Sequence, residues 1–416
     1  MDLYTQNSRR VIVIGGGAAG MMAAVHAAGY GAEVTLFEKN ARLGRKLGIT
    51  GKGRCNVTND CSVQELMQNV PTNPKFLFAA LNRFCSADTQ AFFEERGVPL
   101  KVERGKRVFP QSDRAADIVR ALSEAVRESG VRVINKKVTS LIVEDANAAG
   151  VIAGGERYLA DAVIVCTGGM SYKATGSDGD GYRFAQSAGH KVTELCPSLV
   201  PIVAEGNLCQ SMQGLSLKNV ALDIVRRDSG KCVYSDFGEM MFTHFGMTGP
   251  MVLSASAHIS DISSGNYEAH IDLKPALDIA ALDARIRQDF AKYANRDFIN
   301  SLGDLLPLKA IEPIIKLSGI DPRKKVNSIT REERTRLCEV IKCVKVHLLR
   351  FRPIDEAIIT KGGVAVTEIN PKTMESKIVS GLYFAGEVLD LDAYTGGFNL
   401  QIAFSTAVVA GEHAAE

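Results

Sequence analysis

Gly15, Gly17 and Gly20 form the pattern G-x-G-x-x-G, and Glu38 follows 18 residues after the last of them. Gly15 permits a tight turn out of a strand. Gly17 lets a phosphate approach bare backbone, and Gly20 lets a helix pack close to the sheet. A helix starting at Ala18 and Ala19 offers free N–H groups and a partial positive charge to an anion. A carboxylate at Glu38 can accept from two ribose hydroxyls. Residues 10–39, RVIVIGGGAAGMMAAVHAAGYGAEVTLFEK, supply the strand before the glycines, the helix after them, and a second strand ending in Glu38 and Lys39. The chemistry indicated is the holding of a pyrophosphate-linked dinucleotide.

Three further segments carry polar or glycine-rich chemistry. GRKLGITGKGRCNVTN, residues 44–59, follows Glu38 directly and packs Arg45, Lys46, Gly53, Arg54, Cys55 and Asn56 into one short stretch. Its glycines permit close backbone approach, and its basic groups suit a pyrophosphate or an electron-rich ring. VIVCTGG, residues 163–169, is a buried strand that leaves the sheet at Thr167, Gly168 and Gly169, on the edge where doubly wound folds bind ligands. Asp178 to Gly181 then start a helix. GLYFAGEVLDLDAYTGGFNLQIAFSTAVVAG, residues 381–411, delivers Gly386 and Glu387 from another buried strand. It then opens a helix at Gly397, Phe398, Asn399, Leu400 and Gln401. Glu387 can accept from a sugar-like chain, and the helix start favours an electron-rich ring.

Composition bounds the rest. The 416 residues suffice for two or three domains. Hydrophobic content of 46% with 23% charged residues is that of a soluble globular protein. A net charge of +2 gives no global attraction to nucleic acid or an anionic membrane. No uninterrupted apolar stretch of about 18 residues exists, so no membrane span is expected. Nine scattered cysteines without C-x-x-C suit a reducing cytosol and argue against disulfides or a structural metal, so a cytoplasmic protein with no metal is expected. Arg9-Arg10 before an apolar run resembles an export signal. The triple glycine interrupts that run and the pattern continues into a second strand, so no export is expected.

The elements that must position these groups follow from periodicity. Residues 40–60 read as a polar loop, 62–97 as helical pieces, 98–110 as a hairpin and 114–129 as an amphipathic helix. Strands are expected at 131–135, 138–144, 150–153 and 162–166. Residues 198–272 alternate in short runs, as antiparallel strands of a small barrel or sandwich do. Residues 276–340 are helical, and from about 355 the α/β style returns, closing on a long terminal helix. The expected fold class is α/β, a discontinuous Rossmann-like nucleotide-binding domain with an inserted β-barrel-like domain and an inserted small helical domain. The limits are 1–194 with 355–416 for the nucleotide domain, 195–274 with 341–354 for the β-rich insert, and 275–340 for the helical insert.

The set Gly15/Gly17/Gly20/Glu38, residues 44–59, Thr167–Gly169 and residues 381–411 resembles the two-dinucleotide-binding-domain flavoproteins. GRKLGITGKGRCNVTN, FTHFGMTGP, TKGGVAVTEINPKTMESK and GLYFAGEVLDLDAYTGGFNLQIAFS resemble more narrowly the BaiN-like, aminoacetone-oxidase-like bacterial flavoproteins, over essentially the whole chain. The resemblance implies non-covalent FAD, with Glu38 on the adenosine ribose, Gly15–Gly20 on the pyrophosphate, and Glu387 with residues 397–401 at the ribityl and flavin end. It implies a hydride-transferring oxidoreductase acting on a small or medium organic substrate, an enone or an amine, with NADH or NADPH as transient donor.

Arg54, Asn56, His244, Thr248 and Lys361 are the candidate groups for contact with flavin or substrate and for proton transfer. Two alternatives stay open. Cys55 and Cys61 bracket five residues beside the cofactor, so a dithiol of a flavin disulfide reductase is one. An RNA-binding or regulatory flavoprotein is the other, since residues 321–352 carry ten Lys/Arg against four Asp/Glu. Only Phe351, between Arg350 and Arg352, interleaves those charges, so nucleic acid is not the expected partner.

Overall fold

The computed structural model describes residues 8–416, so the first seven residues of the expected range 1–194 lie outside it. The chain divides into two compact units. One runs up to Ser198 and resumes over Ile354–Glu416; the other is Leu199–Pro353.

The first unit is built on a five-stranded parallel sheet. Its strands are β1 (Arg10–Ile14), β2 (Glu33–Phe37), β3 (Arg132–Ile134), β4 (Ala162–Val165) and β5 (Leu382–Phe384), in the order β5-β4-β1-β2-β3. Val13 of β1 stands opposite Ile164 on one side and Leu36 on the other. A parallel sheet is covered on both faces, so its strands read as continuous apolar runs. The last four residues of β1 and all four of β4 are buried accordingly. Helices α1 (Ala18–Gly29) and α2 (Phe398–Ala415) pack against each other. Small residues make that approach possible: a Cβ on Gly411 would stand 2.5 Å from the Ala23 carbonyl oxygen. α2 is buried on all sides from Gln401 to Glu412, as a helix with no polar stripe must be. Its buried Glu412 accepts two hydrogen bonds from Arg83, at 2.8 and 2.6 Å. Because all five strands run the same way, their C-terminal ends lie on one edge. The chain order reverses between β1 and β4, the switch point at which such sheets bind ligands.

Residues 40–60 are more ordered than a polar loop. Leu47–Ile49 forms a short helical turn, Thr50–Gly53 is a tight turn with Gly51 and Lys52 left-handed, and Thr58–Asn59 joins Leu100–Glu103 and Arg107–Pro110 in a three-stranded sheet. Turns this short, built from glycine and basic residues, carry no periodic signal.

In the second unit six strands close into an antiparallel barrel: Ile202–Ala204, Gly246–Thr248, Cys232–Phe242, Ser216–Arg226, Tyr267–Asp272 and Val344–Phe351. Closure removes the free sheet edges. Alternation is clear in Tyr267–Asp272, where Tyr267, Ala269 and Ile271 are buried. Pro250–His258 is a helix within the stretch expected to be strands; proline occupies its first turn, where the missing N–H costs nothing. Helices Ile279–Lys292, Leu308–Ser318 and Arg331–Lys342 share one core with the barrel, Leu282, Ile314 and Leu337 lying with Ile271 and Val346. Thr330 caps the last of these helices by accepting from Glu333 N at 3.2 Å, while Glu333 accepts from Thr330 N at 2.8 Å. Among the described residues no helix is long and apolar enough to cross a membrane.

Candidate active site

The glycine turn at the end of β1 is shaped by contact. Gly15 has φ +104°, and a Cβ there would stand 2.5 Å from the Cys166 carbonyl oxygen. A Cβ on Gly20 would stand 1.7 Å from the Gly15 carbonyl oxygen, which lets α1 start tight against the sheet. Gly17 differs: a Cβ there would meet nothing within 4 Å, so its missing side chain leaves open space before the helix start. Ala18 and Ala19 form the first turn, whose N–H groups have no carbonyl one turn earlier in the helix. Glu38 at the end of β2 is buried; it accepts from Gly16 N at 2.7 Å and from the Asn40 backbone N and Nδ2, each at 2.7 Å. Lys39 is paired with Asp178 at 2.7 Å and Asp180 at 3.0 Å, and Arg45 donates to Asn40 Oδ1 at 2.7 Å.

The same edge carries the distant C-terminal segment. Lys46 Nζ donates to Ser171 Oγ and to Glu387 Oε2, each at 2.7 Å, joining the loop after β2 to the end of β5. Glu387 Oε1 accepts from Thr360 N at 2.9 Å and from Ser171 Oγ at 3.1 Å. A Cβ on Gly169 would strike Thr360 Oγ1 at 2.5 Å and Glu387 Oε1 at 2.7 Å. Gly168 and Gly386 both have left-handed φ, at +72° and +78°. The start of α2 docks on the first third of the chain. Gly397 has φ +97°, and a Cβ there would stand 2.3 Å from the Thr58 carbonyl oxygen. Phe398 and Leu400 lie in the first turn of α2, whose backbone N–H groups are free in the same sense as those of α1.

Two of the expected cofactor contacts have side chains occupied within the fold. Gln401 accepts from Thr58 Oγ1 at 2.6 Å and Thr89 Oγ1 at 2.8 Å, and donates to the Phe84 carbonyl and Ser405 Oγ at 3.1 and 3.0 Å. Asn399 grips Ala393 from both sides, accepting from its N at 3.0 Å and donating to its O at 2.7 Å. Both fix where α2 begins. Arg54 is half-buried between Glu103 and Asp113, its guanidinium 4.2 Å from the centre of the Phe109 ring. Those two carboxylates, Glu103 first, hold Arg54 above the ordinary arginine value. Gly53 is exposed beside it.

Cys55 is fully buried in a left-handed conformation, φ +59°, and burial pushes its thiol up to about 12. Cys61 is pushed up to about 11, first by burial and then by Glu65. Neither is poised as the thiolate that disulfide exchange requires. Lys361 lies at the end of strand Ile359–Lys361, paired antiparallel with Cys196–Ser198. His244 and Thr248 belong to the other unit, where His244 is exposed and meets Phe245 edge-on at 5.1 Å. Ser171 and Thr360 were not foreseen, although Ser171 lies two residues beyond the Thr-Gly-Gly signal.

The edge fits a flavin dinucleotide on three counts. Gly17 leaves open space beside the α1 start. Two helix starts face one strand edge. Thr167 Oγ1 and Asn56 Oδ1 are buried with no hydrogen-bond partner among the described residues. Buried polar atoms are nearly always paired, so such orphans mark where a ligand atom belongs. Fold and site together define a Rossmann-type flavoprotein.

The comparisons agree. The family model described as HI0933-like protein Rossmann domain matches residues 9–413, and the chain belongs to that family. It is 30% identical over 414 residues to the 3-dehydro-bile acid delta(4,6)-reductase of Clostridium scindens, covering 98% of this chain and 99% of that one. It is also 30% identical over 419 residues to the ribosomal RNA dihydrouridine synthase of Haemophilus influenzae, covering 98% of each. Among solved structures, 3-ketosteroid delta1-dehydrogenase from Sterolibacterium denitrificans, in complex with 1,4-androstadiene-3,17-dione, matches with TM-score 0.55 at 15% identity. That match covers 99% of this chain and all of the other, and it shows the shared fold. The protein is an FAD-dependent oxidoreductase.

Proposed function

We propose that this enzyme saturates a carbon–carbon double bond conjugated with a carbonyl group, with NADH or NADPH as transient electron donor. One observation carries the proposal. The two relatives matched over their full lengths are named for a delta(4,6)-reductase of a 3-oxo compound and for the synthesis of dihydrouridine. Dihydrouridine is uridine with its ring double bond, conjugated to a carbonyl, reduced. The two substrates are unlike in size and charge, yet the bond change is the same.

When bound, FAD supplies a carrier for two electrons and a hydride. The chain's own groups hold and tune it. Glu38 takes the adenosine ribose, and Gly15, Gly17 and Gly20 with the α1 start take the pyrophosphate. Glu387, backed by Lys46, Ser171 and Thr360, accepts from the ribityl hydroxyls. The first turn of α2 faces the ring end that gains electron density, an arrangement worth about 0.3–2 kcal/mol. Arg54, Asn56 and Lys361 are placed at the flavin and substrate; the unpartnered amide oxygen of Asn56 supports this. His244 is the proton-transfer candidate of the inserted unit, supported by its exposure. The cofactor domain is put at 1–194 with 355–416, and the insert at 195–274 with 341–354 and at 275–340; the outer limits lie near the compact-unit boundaries.

A second substrate, uridine within RNA, is favoured by Lys316, Arg323 and Arg331. These are exposed and make no ion pair among the described residues. The test is anaerobic. The bound flavin is reduced with NADH or NADPH, then challenged with a conjugated dienone, its saturated ketone and ribosomal RNA. Reoxidation by the dienone or the RNA, and none by the saturated ketone, is expected. No reoxidation by the dienone or the RNA, with the reduced flavin consumed only by an added imine or on later admission of air, would contradict the proposal.

A further inference from the structure

Asp392 is wholly buried, and its Oδ1 has no hydrogen-bond partner among the described residues. Its other oxygen accepts a long bond, 3.4 Å, from Ser198 Oγ. No Lys or Arg lies within ion-pair distance of it among the described residues. A carboxylate removed from water without a cation or a full set of donors is costly, and a bound group that donates to it would offset that cost.

Its position says where that donor comes from. The next residue, Ala393, is clamped on both backbone groups by Asn399, in the first turn of α2. Tyr394 N donates to the Asn69 carbonyl at 3.0 Å, and Asn73 Nδ2 donates to the Asp390 carbonyl at 2.9 Å. The loop is therefore pinned beside the α2 start, between Glu387 and Gly397. The titratable groups around Asp392 are Asp390 and Tyr394 on its own loop, and Lys361 on the neighbouring strand, whose charge acts on Asp390. Burial pushes the Asp390 carboxyl up, and the charge of Asp392 adds to the rise.

We infer that Asp392 is a cofactor-contacting residue, its free oxygen accepting a hydrogen bond from the imide N–H at the ring end of bound FAD. The inference rests on the proposed seating of the ring at the α2 start. It names a carboxylate that the glycine and Glu387 motifs do not include. A negative charge there opposes the electron density gained on reduction, so it holds the cofactor's potential down.

The test uses the full chain, stripped of flavin and titrated with FAD, and then the reconstituted protein in a spectroelectrochemical cell. In Asp392→Asn the charge is lost, while a polar group of similar size remains. The reduced-to-oxidised ratio at a given potential is expected to rise at least tenfold, about 30 mV for a two-electron couple. Asp392→Ala is expected to weaken FAD binding tenfold or more. Ser198→Ala, which removes the protein partner alone, is expected to leave both readouts within twofold of wild type. Should D392N fail to fold, Asp392→Ser supplies the same comparison. Wild-type affinity and potential in folded D392N and D392A would overturn the inference. Failure of the wild-type apoprotein to take up FAD would instead overturn the seating on which it rests.

Discussion

Gly17→Ala separates a glycine needed by the fold from one needed by the ligand. In the free protein the added methyl meets nothing within 4 Å, and the backbone there is ordinary, with φ −83°. Glycine caps a helix better than alanine, so the exchange costs roughly 0.5–1 kcal/mol. For a unit of this size that is about 1–3 °C in melting temperature. In the complex the same methyl occupies the space through which a phosphate oxygen must approach. Displacement by about 1 Å breaks the alignment of the helix-start N–H groups and costs on the order of 100-fold, or about 2.8 kcal/mol. Gly15→Ala is the contrasting variant: its methyl would stand 2.5 Å from the Cys166 carbonyl oxygen at φ +104°, so the apoprotein itself is destabilised. The assay is a pair of curves for each variant, thermal unfolding of the apoprotein and quenching of FAD fluorescence on binding. G17A should melt within about 3 °C of wild type in the first and fall 100-fold in the second. If G17A bound FAD with wild-type affinity, the pyrophosphate would not pass over Gly17, and the placement at the β1 turn would be wrong.

The double variant Cys55→Ser/Cys61→Ser should retain flavin reduction and turnover within about twofold, since both thiols are un-ionised at neutral pH. A charge-transfer band in the reduced wild type that the variant lacks would reverse that conclusion. Gln401→Leu removes the acceptor for two buried hydroxyls, Thr58 and Thr89, and should lower stability by about 2–4 kcal/mol in denaturant titration. A loss below 0.5 kcal/mol would mean that the network does not hold α2. His26 and His190 are both held below the ordinary histidine value of 6.5, chiefly by burial. Their stabilising contribution is complete above about pH 6.5 and is lost as pH falls through the folded-state values, so unfolding free energy should decline between pH 7 and 5. His190→Gln should flatten that decline; an unchanged slope would exclude His190 as a source.

The glycine turn and the acidic end of the second strand were legible in the sequence because every one of their parts is local. Gly15, Gly17, Gly20 and Glu38 sit within one βαβ unit, and each residue type has a steric or hydrogen-bonding reason to be there. The closed barrel was legible as alternation, although the helix at Pro250–His258 was not: its small, apolar residues fit either period. What sequence could not reveal were pairings across the chain. Lys46 meets Glu387 across 341 positions. Gln401 looked like a flavin contact because it follows the glycine turn, yet its side chain is committed to Thr58, Thr89, Phe84 and Ser405. Asp392 was in plain view in LDLDAYTGG, but an unpartnered oxygen becomes visible only when all its neighbours are placed.

The central claim is that residues from both ends of the chain clasp one FAD along the C-terminal edge of a single parallel sheet. A crystal structure of the FAD complex tests it most directly. The expected density runs from Glu38, past Gly17, to the first turn of α2, with Thr167 Oγ1 and Asn56 Oδ1 acquiring partners. FAD bound elsewhere, with those two atoms still unpaired, would contradict it.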